Sequence, residues 1–316
     1  MIFKKAKFYV CVVVIMALIV VTASSVLIFP ATKDSIINVE GEAEEENNEF
    51  LEPDLPSEGE VVEGEENEET PQIQQTNIKF TNAWQAFNYA MTMYEKYPCY
   101  MTYYQKIDGS AAAYPVTVDA TITRKIYNNI SGIYVVNKPN TKIDVANLGI
   151  DLQVGSTFES HTYFDIKNNL VYGLTGGVSD LTEHKNYFIL TTYDLPYKIN
   201  RKTAEVIGGL VNKTDYYEFQ MELKADAYEK YIQAMKNSIG LTDVPKMSKN
   251  PILTIRIDKK TGTFKSISAV EEIKTNYQYG SISAAVVATS KLTLTFNYSV
   301  DVSKKVNEIK KSLNIN

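Results

Sequence analysis

The chain has very little of the residues that build most metal and covalent catalytic sites, with two cysteines and two histidines among 316 residues. Cys11 lies in an apolar run near the N-terminus, so Cys99 is the only thiol in the rest of the chain and cannot form a disulfide within it. Zinc sites need three or four converging ligands, and His161 and His184 belong to no histidine and cysteine cluster that could supply them. We therefore predict no metal site, no cofactor and no catalytic residues.

Three weaker patterns each have a functional and a structural interpretation. Glu159, His161 and Asp165 would share one strand face, but an exposed strand histidine is the simpler interpretation. Cys99 could be a nucleophile, yet it has no local signature, and its predicted place at a helix end among aromatic residues favours a buried structural thiol. The segment Gly173-Leu-Thr-Gly-Gly177 lacks the helix and lysine of a phosphate loop, so it predicts a hairpin turn.

Residues 8–29 contain no charged side chain at any of their 22 positions. About 20 apolar residues suffice for a helix to cross the hydrocarbon core of a bilayer. Lys4, Lys5 and Lys7 precede this run, and lysines tend to remain on the cytoplasmic side. Residues 1–30 are therefore predicted to be a single-pass signal-anchor in the cell membrane, with a cytoplasmic N-terminus and an extracellular C-terminal domain.

A cleaved signal peptide is the alternative for this segment. Val21-Thr22-Ala23 would suit cleavage after Ala23, although Val26 to Phe29 continue the apolar run beyond that point. Lipidation at Cys11 is disfavoured, because the apolar stretch follows this cysteine and no small residues precede it.

Basic residues are absent from positions 40–69, which hold 15 acidic side chains. Such a segment cannot bury enough apolar surface to offset its loss of entropy, so residues 31–77 are predicted to be a disordered, extended acidic linker. Residues 70–316 are left with 28 basic and 22 acidic side chains. This mildly basic part could be attracted to an anionic envelope surface or to its own linker. Its charges are scattered, so no nucleic-acid partner is predicted.

Residues 78–316 are predicted to form one α+β domain, since the chain has 22 tyrosines and is rich in threonine, isoleucine and valine. Asn82 and Gln85 resemble a capping box that begins a helix over 82–97, which ends before Pro98. The apolar face of this helix is formed by Trp84, Phe87, Met91 and Tyr94.

Alternation of apolar and polar residues predicts most of the remaining elements. Strands are expected over 116–123, 130–136, 157–166, 169–174, 187–192, 215–224, 253–257, 263–274 and 292–298. Further helices are expected over 201–207, ending at Gly208-Gly209, over 226–239, capped by Asp226, and from Ser303. The sum is a curved, mostly antiparallel sheet with helices 82–97 and 226–239 on one face.

Residues 215–299 resemble the LolA-like and LppX-like half-barrels of the lipoprotein-carrier superfamily. The shared features are a strand, a crossing helix, the hairpin Ile257-Asp-Lys-Lys-Thr-Gly-Thr-Phe-Lys-Ser-Ile267 and a terminal strand over 292–298. The resemblance implies a strongly curved sheet that wraps a helix and can enclose acyl chains.

Two functional hypotheses follow. The first is a membrane-tethered extracytoplasmic binding module that holds a lipid-like apolar ligand. The second is a structural or protein-interaction protein of the bacterial cell envelope with no small ligand. An enzyme is disfavoured, because no histidine, cysteine and acid constellation is present. Tyr94, Tyr97, Tyr100, Tyr103 and Tyr104 form a sequence cluster that could stack on sugars, although core packing is the commoner role of such residues.

Overall fold

The computed structural model describes only part of the chain. The described residues are 73, 77–111, 116–145, 150–154, 160–166, 168, 170–175, 178–180, 197–239, 243–279 and 282–315. The predicted anchor at 8–29, the acidic tract at 40–69, the strand at 187–192, Glu159 and His184 lie outside them. Within the described ranges, no helix has the length and apolar character needed to span a bilayer.

The domain consists of strands with three helices among its described elements. In chain order they are α1 (Ala83–Lys96), β1 (Cys99–Ala111), β2 (Val116–Asn128), β3 (Gly132–Val145), β4 (Ile150–Val154), β5 (Ser160–Asp165), β6 (Leu170–Thr175), β7 (Val178–Asp180), β8 (Ala204–Asn212), β9 (Tyr216–Leu223), α2 (Ala225–Ile239), β10 (Lys246–Met247), β11 (Ile252–Asp258), β12 (Phe264–Tyr279), β13 (Ile282–Asn297) and α3 (Val302–Ser312).

All described strands belong to one curved, open sheet, as predicted. Its order is β7-β6-β5-β3-β2-β1-β13-β12-β11-β9-β8, with β4 beside β3 and β10 beside β12. Each described pairing is antiparallel. The first and last long strands of the domain, β1 and β13, are neighbours in the middle of the sheet.

The sheet has one buried face, which we call the inner face, and one largely exposed outer face. Along β1, Met101, Tyr103 and Ile107 are buried, whereas Thr102 and Tyr104 are exposed. The same alternation runs along β9, β11 and β13. Side chains on a strand alternate between the two faces, so these patterns confirm the half-buried strands predicted at β9, β11 and β13.

Helix α1 covers part of the inner face and contacts β8, β11 and β12. Its most buried positions are small, with Ala86 and Ala90 fully buried beside Phe87, while Trp84 and Met91 flank this stripe. Small residues let the helix backbone approach the sheet closely. The sequence pattern predicted an apolar face of large side chains only, so these alanines were not anticipated.

The start of α1 differs in one bond from the predicted capping box. The Asn82 side chain accepts a hydrogen bond from the Gln85 backbone N–H at 2.9 Å, as expected. The Gln85 side chain instead accepts from the backbone and hydroxyl of Thr81, at 2.9 and 3.0 Å.

Helix α2 begins at Ala225, one residue before the predicted cap. Asp226 therefore lies in the first turn, where a carboxylate still interacts favourably with the helix dipole. Ala227, Tyr231 and Ile232 are buried in the same core as α1. The predicted hairpin loop after β11 is confirmed, with Gly262 at φ +69°.

Two local predictions were wrong. No strand was expected directly after Pro98, yet Cys99 begins β1. Because side chains alternate along this strand, the five-tyrosine cluster is split, with Tyr103 on the inner face and Tyr104 on the outer face. The helix predicted over 201–207 is a turn followed by β8. Its glycines, Gly208 and Gly209, have φ of +74° and +79° and form a bulge against β9, rather than a helix end.

A row of tyrosines crosses the outer face. Tyr100, Tyr127, Tyr134, Tyr163 and Tyr172 lie directly opposite one another on five adjacent strands. Their ring centroids are 5.0 Å apart for the first pair and 5.7 Å for the second. Helix α3 covers this tyrosine row with buried Val306 and partly buried Ile309 and Leu313. Cross-strand aromatic pairs stabilise a sheet, so α3 and the row form a second, smaller core.

Gly132 gives a test of this second core. A Cβ atom at this position would lie 2.3 Å from Tyr163 Oη and 2.9 Å from its ring. We expect Gly132→Ala to destabilise the protein by about 1–3 kcal/mol, because overpacking forces the buried ring to shift. Urea unfolding followed by the fluorescence of Trp84, the only tryptophan, measures this. Ser131→Ala, at an exposed neighbouring position, should change stability little, and equal effects of the two substitutions would contradict the prediction.

Candidate functional site

A band of polar side chains interrupts the apolar inner face. Each of five adjacent strands contributes to it, from β3 across β2, β1 and β13 to β12. Its members, which we call the inner polar row, are Asn137, Arg124, Tyr103, Gln105, Ser290 and Glu271. Register explains this alignment, since Tyr103 lies opposite Arg124, Arg124 opposite Asn137, and Ser290 opposite Glu271.

Hydrogen bonds link the middle of the row. Tyr103 Oη donates to Gln105 Oε1 at 2.8 Å, and Gln105 Nε2 donates to Ser290 Oγ at 2.7 Å. This second bond connects residues 185 positions apart in the chain. All three side chains are at most 5% exposed, so their polar atoms depend on one another rather than on solvent.

Arg124 occupies one end of the row and is 3% exposed. Its guanidinium carbon lies 4.7 Å from the centre of the Tyr103 ring, and its Nε donates to Asn137 Oδ1 at 3.2 Å. The ring face and the amide oxygen both favour a positive charge, which compensates for part of the desolvation of this buried cation.

Glu271 occupies the other end and is fully buried. Its Oε1 accepts a short hydrogen bond from Tyr197 Oη, whereas its Oε2 meets no donor at hydrogen-bond geometry, although the Ser290 hydroxyl lies near enough to favour the carboxylate. Burial raises the pKa of Glu271, and the neighbouring Tyr197 and Ser290 hydroxyls oppose this rise by favouring the carboxylate.

Tyrosines around Glu271 remain protonated. Burial raises the pKa of Tyr197, Tyr231 and Tyr103, and the nearby Glu271 raises each further. Arg124 opposes the rise for Tyr231 and Tyr103, so its positive charge reaches the same region. Tyr231 on α2 also contacts Tyr197 edge to face, with centroids 6.1 Å apart. The phenols can therefore donate hydrogen bonds but are poor acids.

Apolar side chains border the row along each strand. Ala269 and Ile273 flank Glu271, and Ala288 and Leu292 flank Ser290, all on the inner face. A polar band within an apolar surface suits a molecule that has a polar group on an apolar body. The described residues hold no group of three histidine, cysteine, aspartate or glutamate side chains that could bind a metal.

Residues singled out in the sequence lie elsewhere. His161 is half-buried on the outer face, where it stacks on Tyr134 and its Nδ1 lies 2.6 Å from the Tyr134 hydroxyl, so the expectation of an exposed histidine was wrong. Asp165 is buried and accepts hydrogen bonds from the backbone and side chain of Asn168, which gives it a turn-forming role. Cys99 is fully buried, as expected, but begins β1.

Sequence inspection missed the inner polar row, although one signal was present. Glu271 stands in the apolar phase of the alternation Ile267, Ala269, Glu271, Ile273. Gln105 likewise stands between Tyr103 and Ile107. A polar residue at such a position predicts a buried polar group, but the partners come from distant strands.

Comparisons with known proteins provide no identification. No protein-family model matches the sequence, and the curated proteins contain no match. Among solved structures, the chain is similar to lipovitellin, a structure described for its lipid–protein interactions; the identity is 10%, the TM-score is 0.32, and the match covers 63% of this chain and 25% of lipovitellin.

A Nitrosomonas europaea protein with the provisional name AttH is 8% identical, with a TM-score of 0.23, over 64% of this chain and 52% of that protein. The chain thus spans a quarter of the first of these structures and about half of the second. Such TM-scores are too low to define a shared fold and carry no functional argument. Neither structure is named as a LolA-like or LppX-like carrier, so that resemblance remains a prediction.

The buried position of Glu271 predicts an unusual pH dependence. Because its pKa is raised in the folded state, folding favours the protonated form. Stability from this group is complete below its ordinary pKa of 4.5 and decreases as pH rises through the raised value. Glu271→Gln does not titrate, so its stability relative to the native protein should increase with pH above about 4.5.

Urea unfolding of the native protein and of Glu271→Gln from pH 4 to 8 measures the difference between their free energies of unfolding. The contributions of all other titrating groups cancel in this difference. The titratable groups that interact with Glu271 are Tyr197, Tyr231 and Tyr103, which stay neutral, and the nearest cation of the row, Arg124, lies at its other end. If the difference instead falls as pH rises, Arg124 stabilises an ionised Glu271 and the expected sign is wrong.

Tyr197 provides the second test. Tyr197→Phe removes the donor to Glu271 Oε1, and a buried acceptor that loses its partner costs about 1–3 kcal/mol. The free energy of unfolding at pH 7 should decrease by this amount. Tyr104→Phe is the matched control, because Tyr104 is 46% exposed and should change stability by no more than about 0.5 kcal/mol.

Proposed function

We propose that residues 78–316 form a binding module that holds a lipid-like molecule, with its polar group at the Glu271 end of the inner polar row. We further propose that residues 1–30 anchor this module in the cell membrane and residues 31–77 tether it on the outside. The tethering follows from the charge pattern of the sequence. The binding role is supported by one observation, the unpartnered Oε2 of the fully buried Glu271.

A buried carboxyl with an unpartnered oxygen lowers the free energy of unfolding, so a purely structural role does not explain it. Replacing such a group by an apolar side chain of similar size is often neutral or stabilising. Glu271 lies between Ala269 and Ile273, where an apolar side chain would continue the surrounding surface. Its position is therefore explained if a bound molecule supplies the missing hydrogen bond.

The side chains around the inner polar row favour an amphipathic ligand over a polar one. Apart from the row, the inner face consists of buried isoleucine, leucine, valine and alanine side chains, such as Ile122, Val135, Leu292 and Val286, which are at most 4% exposed. Apolar surface of this kind binds hydrocarbon through the hydrophobic effect, and a single polar group then sets the orientation.

The test is native mass spectrometry of the full chain, released gently from membranes of its own host. The native protein should carry a recurrent extra mass in the lipid range. The double variant Glu271→Leu/Tyr197→Phe should lose that mass while its free energy of unfolding stays equal or increases, since replacing both partners leaves no buried donor unsatisfied and a leucine fits the apolar face. Loss of cargo without loss of stability separates a binding role from a structural one.

Glu272→Leu is the matched control, because this neighbouring side chain lies on the outer face and pairs with Lys249 at 3.4 Å. It should retain the cargo. A native protein without any extra mass, or a Glu271→Leu/Tyr197→Phe protein that retains it fully, would contradict the proposed function.

A protein-interaction role is the second candidate, and the outer face carries the observation that favours it. Ile252 and Val270 lie opposite each other on β11 and β12 and are 44% and 50% exposed. Adjacent exposed apolar side chains are a feature of protein contact surfaces. A cargo-free protein in the experiment above would shift the assignment to this role.

A further inference from the structure

Helix α3 presents lysines to solvent on the side that faces away from the sheet. Val302 and Val306 are fully buried against β2 and β3, and the helix is basic elsewhere. Lys304, Lys305, Lys310 and Lys311 belong to the helix, and Lys125 and Lys138 are exposed on the strands beside it. We call these six lysines the basic face.

Little of this charge is neutralised locally. Lys305 forms an ion pair with Glu308 at 3.4 Å, and the Asp301 side chain accepts a hydrogen bond from the Lys304 backbone to cap the helix. Within the described part of the chain, Lys304, Lys310 and Lys311 form no ion pair. Lys310 and Lys311 also border a shallow hollow of about 540 Å³ with Asn307, Asn314 and Ile315.

We propose that the acidic segment 40–69 of the same chain docks on the basic face. This segment has 15 acidic residues and no lysine or arginine to neutralise them. It lies directly before the domain in the chain. Opposite charges that are linked in one chain have a high effective concentration for each other, so many weak ion pairs can act together.

The position of the domain's N-terminal end allows this contact. The Ile78 backbone N–H donates to the Lys259 carbonyl in the loop between β11 and β12, at 3.0 Å. Register places that loop and the turn after β2 at the same end of the sheet. Helix α3 is held at this turn, where Ser303 Oγ donates to Asn129 Oδ1 at 3.0 Å.

The residues between the acidic segment and the domain are long enough to bridge the distance to α3. Four strand steps separate β11 from β2 in the sheet, which corresponds to about 19 Å. The eight residues 70–77 span up to about 26 Å when extended. The acidic segment can therefore reach α3 without any change in the folded domain.

Docking would mask the basic face. Residues 70–316 have six more basic than acidic side chains, whereas the whole chain has a net charge of −6. The attraction of the exposed domain to an anionic surface would then depend on whether the acidic segment is bound or released. This regulation does not depend on the proposed ligand.

Zero-length carbodiimide coupling of carboxylates to lysines tests the proposal on the full chain in neutral nanodiscs. At low salt, couplings from segment 40–69 should fall several-fold more often on Lys304, Lys310 and Lys311 than on three exposed lysines elsewhere on the outer face. These comparison lysines are Lys246, Lys274 and Lys291. The preference should disappear in about 1 M salt, where the Debye length is about 3 Å. An even distribution over both sets would overturn the proposal.

Cleavage by a glutamate-specific protease provides a second measurement. The combined variant K304Q/K310Q/K311Q should be cut within 40–69 several-fold faster than the native chain, because docking no longer protects the segment. The matched variant K246Q/K274Q/K291Q should be cut at the native rate. If the first variant is cut at the native rate but binds phosphatidylserine vesicles less well, the basic face serves a membrane and the proposal is wrong.

Discussion

The pairing of β1 with β13 is the constraint on which the rest of the structure depends. It brings the start and the end of the domain together over twelve residue pairs, from Tyr100 opposite Asn297 to Ala111 opposite Val286. On one side of this seam lie β2, β3 and the short strands, and on the other lie β12, β11, β9 and β8. Pairings between residues so far apart in the chain slow folding, because loop-closure entropy opposes them.

Both cross-strand rows derive from this register. The inner polar row passes directly over the seam through the bond between Gln105 and Ser290. The tyrosine row begins at Tyr100, the first β1 residue paired with β13. A slip of one residue would move every side chain of β1 to the opposite face, placing Thr102 and Tyr104 inside and Met101 and Tyr103 outside. The buried polar groups oppose such a slip together with the apolar ones, because Gln105 would lose its hydrogen bond to Ser290.

The domain separates its charges by depth. Arg124 and Glu271 lie at opposite ends of the buried inner row, where each is held by neutral hydrogen-bonding or aromatic groups. The lysines of α3 lie on the opposite side of the sheet, where water solvates their charges. The buried groups therefore interact with a few fixed neighbours, whereas the surface charges act at longer range.

Sequence patterns were reliable wherever a local signal dominated. The half-buried strands β9 and β11, the glycine of the hairpin at Gly262 and the capped helix α1 follow from alternation, turn chemistry and capping, which act within a few residues. Local signals were misleading at β8, where Gly208 and Gly209 resemble a helix end but form a bulge that only the pairing with β9 explains. They were absent for β1, since the aromatic segment after Pro98 has no clear alternation of polar and apolar residues.

The sequence by itself determined the separation into an apolar run, an acidic segment and a mildly basic remainder, because composition and charge are summed along the chain. It also showed that histidine and cysteine are scarce in this chain. Only the tertiary structure decided that Glu271, Gln105 and Arg124 belong to one row, and that α3 covers the tyrosines. These groupings depend on strand order and register, which arise from pairings between residues far apart in the chain.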